Sequence, residues 1–245
     1  MQKVFGIIGY PLSHSFSPAY FKKKFEAGHI DAAYNAFPLG NIEELPALLE
    51  KNNKLHGLNV TIPYKESVIK YLDETDVMAG TIGAVNCIAI KSGRTKGYNT
   101  DVIGFEKSLA PLLQSHHRHA FILGTGGASK AVAFVLNKLG ISFQKVSREL
   151  TGALHYDDIT PELIKHHTLI INTTPLGMYP NTDTFPKLPY EAIGRQHLLY
   201  DLIYNPEETK FLSLGEKQGA VIKNGFEMLE IQAEESWRIW NETSP

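Results

Sequence analysis

The stretch that most restricts the fold runs from residue 120 to residue 146. Ala120-Phe121-Ile122-Leu123 is an unbroken apolar run, as expected of a strand covered on both faces of a parallel sheet. Gly124-Thr125-Gly126-Gly127-Ala128-Ser129-Lys130 follows, and apolar residues then recur at helical spacing through Ala131, Val132, Val135, Leu136 and Leu139, with Gly140 as the stop. Residues 141–146 form the next strand. Strand, glycine-rich turn, helix, strand is a βαβ unit whose helix N-terminus offers N–H groups and a partial positive charge to an anion. In that context the glycines predict dinucleotide binding: Gly124 for the tight turn, Gly126 for close approach of backbone to a pyrophosphate. Ser129 stands where the usual fingerprint has its third glycine. At the end of the second strand an NAD site carries an acidic residue, whereas this chain has Ser147-Arg148. A guanidinium forks onto phosphate oxygens, so the pair predicts NADP. Glu149 keeps an NAD-like ribose contact open.

The N-terminal part reads as a second α/β segment. Residues 4–9 are a short apolar strand, Tyr10-Pro11-Leu12 turns the chain, and Ser13 to Pro18 opens a helix with Ser17 as its cap. Leu58-Asn59-Val60-Thr61-Ile62 alternates apolar and polar residues and is closed by Pro63, so Asn59 and Thr61 share one face. Lys65 then opens a helical piece over 65–71, and 43–51 is another. Polar side chains at a strand end beside a lysine suit a small-molecule site; a solvated edge strand is the plainer reading. Residues 169–178 and 198–206 repeat the pattern of a buried strand breaking into a turn. The last helix, from Phe226 to about residue 241, carries Met228, Leu229, Gln232 and Ser236 on one face, with Gln232 a polar interruption.

In their order, these motifs resemble the shikimate dehydrogenase family nearly end to end. The resemblance rests on Ser15 and Ser17, on Asn59-Val60-Thr61 with Pro63 and Lys65, and on Gly83-Ala84-Val85-Asn86. It continues through Asn99-Thr100-Asp101, the glycine-rich turn, 172–178, 201–206 and 225–232. It implies two α/β domains. One is a substrate domain over 1–100, to which the C-terminal helix 226–245 returns, and the other a Rossmann-like NADP domain over 101–225. It implies NADPH-dependent, reversible reduction of 3-dehydroshikimate to shikimate in aromatic amino-acid biosynthesis. Lys65 and Asp101 would form the catalytic pair. Ser15 and Ser17 would hold the substrate carboxylate with Tyr204 nearby, and Asn59, Thr61, Asn86, Asp101 and Gln232 its remaining groups. Gly124, Thr125, Gly126, Gly127, Ala128, Ser147, Arg148, Thr173 and Gly225 would hold the cofactor. The family typically shows Asn-Arg-Thr where this chain has Ser147-Arg148-Glu149, so the first and third residues depart from its pattern. Quinate with NAD, a folate intermediate, and a nucleotide-binding homologue without turnover are the alternatives.

Bulk properties fit this picture. The 245 residues can bury a sizeable core. The net charge of −2 and the lack of a long basic run predict no nucleic-acid partner. No apolar stretch of about eighteen residues exists, so no membrane span is expected. Met1-Gln2-Lys3 leads straight into a strand, unlike a signal peptide. The single cysteine, Cys87, excludes an intramolecular disulfide and fits a reducing cytoplasm, as buried packing in the strand 84–90. His116, His117 and His119, and His166 and His167, fall at helix ends and read as solvated caps with no metal site. A monomer or a homodimer is expected.

Overall fold

The computed structural model describes residues 2–12, 15–149 and 152–242. Met1, Ser13 and His14, which carry parts of the N-terminal reading, and residues 243–245 of the expected last helix lie outside them. The chain divides into two compact units: 1–103 with 232–245, and 104–231.

Unit 1 contains β1 (Lys3–Gly9), α1 (Phe16–Ala27), β2 (Ala32–Pro38), α2 (Leu45–Lys51), β3 (Leu55–Val60), β4 (Glu74–Thr75), α3 (Val77–Ile82), β5 (Cys87–Lys91) and β6 (Arg94–Tyr98). Its six strands run in the order β2-β1-β3-β5-β6-β4. β1 pairs in parallel with β2 and β3, whereas β5 is antiparallel to β3 and β6. Alternation places Phe5 and Cys87 on one face with Phe21, Phe25 and Trp240, and Ile8 and Ile88 on the other with Leu45 and Leu58. The end of the C-terminal helix α8 (Phe226–Asn241) is bound into this core. Trp240 donates its indole N–H to the Ile88 carbonyl at 3.0 Å and stacks on Phe5 at 4.9 Å between centroids. Gly57 makes room for it: a Cβ there would lie 2.2 Å from the indole nitrogen.

Several local expectations are corrected here. β3 is an interior strand, so Asn59 is buried and not on a solvated edge. Thr61 and Ile62 lie past its end, in the turn. Ser15, not Ser17, is the N-cap of α1, because the backbone already turns helical at Phe16. The helical piece expected over 65–71 is a 3-10 helix over Ser67–Tyr71, with Lys65 in the preceding turn; five residues suit that tighter, short form. The piece over 43–51 divides into a 3-10 turn, Ile42–Glu44, and α2.

Unit 2 contains β7 (His119–Leu123), α5 (Gly127–Lys138), β8 (Ser142–Ser147), β9 (Leu154–His155), α6 (Pro161–His166), β10 (Leu169–Asn172), β11 (Leu198–Asp201), α7 (Lys210–Lys217) and β12 (Val221–Lys223). Its sheet, β12-β11-β10-β7-β8-β9, is parallel throughout. Gly140 follows the α5 C-cap Leu139 at φ +69°. The Ile141 N–H closes the helix end on the Leu136 carbonyl at 2.9 Å. The unit boundary falls inside α8 and inside α4 (Asp101–Leu109). β11 ends on the fully buried Asp201, whose carboxylate accepts from Asn172 Nδ2 (3.0 Å), the Ile203 N–H (3.0 Å) and the Thr209 hydroxyl (2.6 Å). Burial lifts its pKa to about 7, against the pull of those donors.

No helix among the described residues is long and apolar enough to cross a membrane, and none of their His, Cys, Asp and Glu side chains gather into a metal-holding group. His117 and His167 are not solvated caps: each is 6% exposed. Gln196 beside His117 and Phe121 of β7 beside His167 are distant in sequence, which local pattern does not report. His117 Nδ1 accepts the Gln114 N–H at 2.9 Å and its Nε2–H donates to the Gln196 carbonyl at 3.2 Å. His167 Nδ1–H donates to the Leu163 carbonyl at 2.8 Å, and its ring stacks on Phe121 at 3.9 Å.

Burial, with neighbouring imidazoles adding to it, lowers both histidine pKa values. The unfolded chain therefore binds more protons than the folded one once pH drops below about 6.5. The stability these rings contribute is complete above that pH and declines below it. Asp201 acts in the opposite sense, its raised pKa favouring the fold as pH falls through about 7. A His117→Asn, His167→Asn variant should be less stable than wild type at about pH 7.5, and the gap should narrow at about pH 5.5. Urea unfolding followed by circular dichroism measures this.

Candidate active site

Within unit 1, Asn59, Lys65, Asn86, Asp101 and Gln232, singled out in the sequence, are brought together. The Lys65 ammonium lies 2.6 Å from Asp101 Oδ2, with the two side chains 18% and 8% exposed. Two backbone features bring them together. The Lys65 carbonyl accepts the Val85 N–H at 2.7 Å, tying the Lys65 turn to the segment that leads into Asn86. Asp101 is the first residue of α4, where the helix dipole favours a carboxylate. Asn86 joins the two parts: its Nδ2 donates to Asp101 Oδ1 at 2.8 Å and to Thr100 Oγ1 at 3.0 Å, while its Oδ1 accepts the Thr100 N–H at 2.6 Å.

Asn59 and Gln232 extend the network. Asn59 Nδ2 donates to Ser236 Oγ at 2.9 Å and to the Asn86 carbonyl at 3.3 Å, and its Oδ1 accepts from the Tyr34 phenol at 2.7 Å. Both of its N–H groups are thus engaged within the protein. Gln232 is 6% exposed, with Oε1 accepting from Thr100 Oγ1 at 3.3 Å. Thr61 follows β3, its N–H donated to the Ile8 carbonyl at 2.9 Å. Its methyl takes the space beside Gly9, where a Cβ would come within 2.4 Å. Ser15 caps α1 without a side-chain bond to the helix, and Ser17 is buried in the first turn. Tyr34, Thr100 and Ser236 were not identified from sequence as site residues. Ser236 had a signal, since it shares a helix face with Gln232; Tyr34 had none. Tyr204 differs from the other substrate-site candidates in belonging to unit 2. Burial raises the pKa of its phenol, which keeps it a neutral donor.

Unit 2 builds an anion cradle. Gly124 has φ +109°, and a Cβ there would meet Thr173 Oγ1 at 2.7 Å. Thr173 is itself fixed, its hydroxyl donating to the Leu123 carbonyl at 2.7 Å. Gly126 is the N-cap of the 12-residue α5, and nothing lies within 4 Å of where its Cβ would be. Gly127 and Ala128 open the first turn of α5, and Thr125 is exposed. Ser129, in place of the third glycine, is buried and turns its hydroxyl onto the Gly126 carbonyl at 2.7 Å. The Ser147 hydroxyl accepts the Glu149 N–H at 3.1 Å, forming a small turn with Arg148 exposed at its apex. Arg148 lines a cavity of about 500 Å³ with His155, Tyr156, Leu176, Phe185 and Lys187. Gly225 precedes α8, where a Cβ would be 2.1 Å from the Leu202 carbonyl oxygen.

A family model described as the shikimate dehydrogenase substrate binding domain matches residues 7–88. An NADP(+) shikimate dehydrogenase of Halothermothrix orenii is 39% identical over 272 residues, spanning 99% of this chain and 92% of that protein. The chain belongs to the shikimate dehydrogenase family. Among solved structures, the Thermus thermophilus shikimate 5-dehydrogenase in complex with NADP(H) and shikimate matches with a TM-score of 0.87 at 30% identity, covering 100% of this chain and 95% of that one. A shikimate dehydrogenase in complex with NADP+ matches with a TM-score of 0.86 at 34% identity, covering 100% and 91%.

The family's glycine turn has no slack here. Gly124→Ala would combine an unfavourable positive φ with a clash on Thr173, and should destabilise the fold by about 1–3 kcal/mol. Denaturant unfolding of the variant against wild type checks it.

Proposed function

We propose that this protein is a shikimate dehydrogenase that reduces 3-dehydroshikimate to shikimate with NADPH, and runs the reverse reaction, in the cytoplasm. The observation that carries the reading is the Lys65–Asp101 pair at 2.6 Å, largely withdrawn from solvent and surrounded by amide and hydroxyl groups suited to a polyol. The dinucleotide cradle of unit 2 supports it, because Gly124 and Gly126 leave the space a pyrophosphate needs at a helix N-terminus.

Each residue has a part in the chemistry. Ser15 and Ser17 donate to the substrate carboxylate, and Tyr204 is assigned there as a third, neutral donor. Thr61, Asn86, Asp101 and Gln232 hold the ring hydroxyls. Asn59, whose amide hydrogens are already engaged, braces Asn86 and Ser236 rather than reaching substrate. Gly124 to Ala128, Thr173 and Gly225 shape the cofactor site, and Ser147 presents Arg148 to the 2′-phosphate. NADPH supplies the hydride that adds to the carbonyl carbon. As that bond forms, the carbonyl oxygen becomes an alkoxide and needs a proton. An ammonium has three N–H bonds; one of those of Lys65 is given to Asp101, and another meets the alkoxide, stabilises it and transfers the proton. The neutral amine regains a proton from solvent. Asp101 holds the lysine in place and accepts from a substrate hydroxyl.

Lys65→Ala should lower turnover by roughly 10²–10⁴-fold and change the Michaelis constant for shikimate much less. Steady-state oxidation of shikimate, followed at the nicotinamide absorbance band, measures both; near-normal turnover would remove Lys65 from the mechanism.

Glu149 favours the second reading, quinate with NAD, since a carboxylate repels a 2′-phosphate and binds ribose hydroxyls. Arg148→Ala should weaken NADP by about 10- to 150-fold and leave NAD nearly unchanged, the worth of a charge-assisted phosphate contact. Titration of both cofactors at one ionic strength, with shikimate and quinate compared side by side, decides between the readings.

A further inference from the structure

β10 and β11 end alike. Their last residues, Asn172 and Asp201, are register partners in the parallel sheet, and both are fully buried. Each turns the chain with its own side chain. Asn172 Oδ1 accepts the Thr174 N–H at 3.0 Å, and Asp201 Oδ1 accepts the Ile203 N–H at 3.0 Å. The two turns are tied to each other, because Asn172 Nδ2 donates to Asp201 Oδ1 at 3.0 Å.

Every proton in this cluster has one acceptor. Thr174 gives its hydroxyl proton to Asn172 Oδ1 at 2.6 Å and accepts the Leu176 N–H at 3.2 Å. Thr209 gives its hydroxyl proton to Asp201 Oδ2 at 2.6 Å and accepts the Leu212 N–H at 3.4 Å. Position 201 therefore meets three donors and calls for a group that only accepts, which an ionised carboxylate is. Burial penalises the charge that this group carries.

Ile203, the residue before Tyr204, is held at both of its backbone groups: Asp201 takes its N–H, and its carbonyl accepts the Gly225 N–H at 2.9 Å. The dinucleotide cradle is held by other bonds. The Thr173 N–H and hydroxyl both go to the Leu123 carbonyl, at 2.9 Å and 2.7 Å, and the Gly124 N–H goes to the Val146 carbonyl at 2.8 Å. Asp201 takes part in none of these.

We infer that Asp201 is a positioning residue for the substrate and not for the cofactor: by fixing Ile203 against the end of β10, it sets the direction in which Tyr204 offers its hydroxyl to the substrate carboxylate. The inference rests on the assignment of Tyr204 made above.

Asp201→Leu keeps the branched shape of the side chain and removes both acceptors; Asp201→Ala removes them without filling the space. Each should raise the Michaelis constant for shikimate by roughly 5- to 50-fold, the worth of a hydrogen bond to a charged acceptor, with a smaller change in turnover. NADP affinity, measured by calorimetric titration, should stay within about twofold of wild type, a split that general loosening of unit 2 would not give. Asp201→Asn retains an oxygen for Ile203 and Asn172 and should restore most of the lost affinity for shikimate. In a Tyr204→Phe background, Asp201→Leu should add less than about twofold, because the hydroxyl it positions is already gone. The Ile203 amide proton, followed by ¹⁵N NMR in substrate-free protein, should lose exchange protection in Asp201→Leu and keep it in Asp201→Asn. An unchanged Michaelis constant, an equal loss of NADP affinity, an effect undiminished in the Tyr204→Phe background, an Asn variant no better than Leu, or failure of both Leu and Ala variants to fold would each overturn the inference. Wild-type turnover of shikimate reports separately on the proposed function, and the Ile203 amide proton judges the turn at Asp201 even if that turnover is absent.

Discussion

An ammonium and a carboxylate held 2.6 Å apart with little exposure depend on everything placed around them. Taking both charges out of water costs several kcal/mol per ion, and their mutual attraction offsets that only if the remaining lone pairs and protons are also satisfied. Unit 1 meets the condition on the carboxylate side. Oδ2 takes Lys65, Oδ1 takes the Asn86 amide, and the carboxylate sits at the start of α4. Asn86 is in turn held by Thr100, and its carbonyl accepts the Val60 N–H at 2.8 Å, which fixes it to the end of β3. The interior position of β3 and the antiparallel insertion of β5 follow the same need, because they bring residues 59, 86 and 101 to one end of the sheet.

Unit 2 meets a different need with the opposite means. Where unit 1 fills space with amides and hydroxyls, the β7–α5 turn keeps space empty. A side chain at Gly126 would occupy the room in front of the helix, and one at Gly124 would strike Thr173. The parallel sheet makes this possible: every strand is offered at the same end, so the turns after β7, β8 and β10 lie together. Asp201, gathering Asn172, Ile203 and Thr209 at the end of β11, fixes the loop that carries Tyr204.

How much of this was legible in the sequence depends on how local each cause is. The βαβ unit could be read because a glycine turn, an apolar run and a 3.6-residue period each leave their mark within a few residues. The start of α1 was misplaced by two residues because Ser15 and Ser17 are alike in type. Ser17 is buried and Ser15 only half-buried, a difference that no local window reports. His117 and His167 were misread for the same reason, their covering carbonyls and rings arriving from elsewhere in the chain. Lys65 and Asp101 are 36 residues apart, and no periodicity links them. The order of motifs carried that pairing. Asn59 was legible as a candidate, but its bonding was not, because its partners Tyr34 and Ser236 lie 25 and 177 residues away.

The docking of α8 into the core of unit 1 has a consequence for how this protein can be observed. The chain has two tryptophans, Trp237 and Trp240, and both lie on that helix against Phe5. Intrinsic indole fluorescence is therefore a gauge of unit 1 alone. Loosening confined to residues 104–225, ahead of α8, leaves the helix that carries both indoles in place. A denaturation curve followed by fluorescence describes half of the molecule, and agreement with a backbone signal is what would establish that the two units unfold as one.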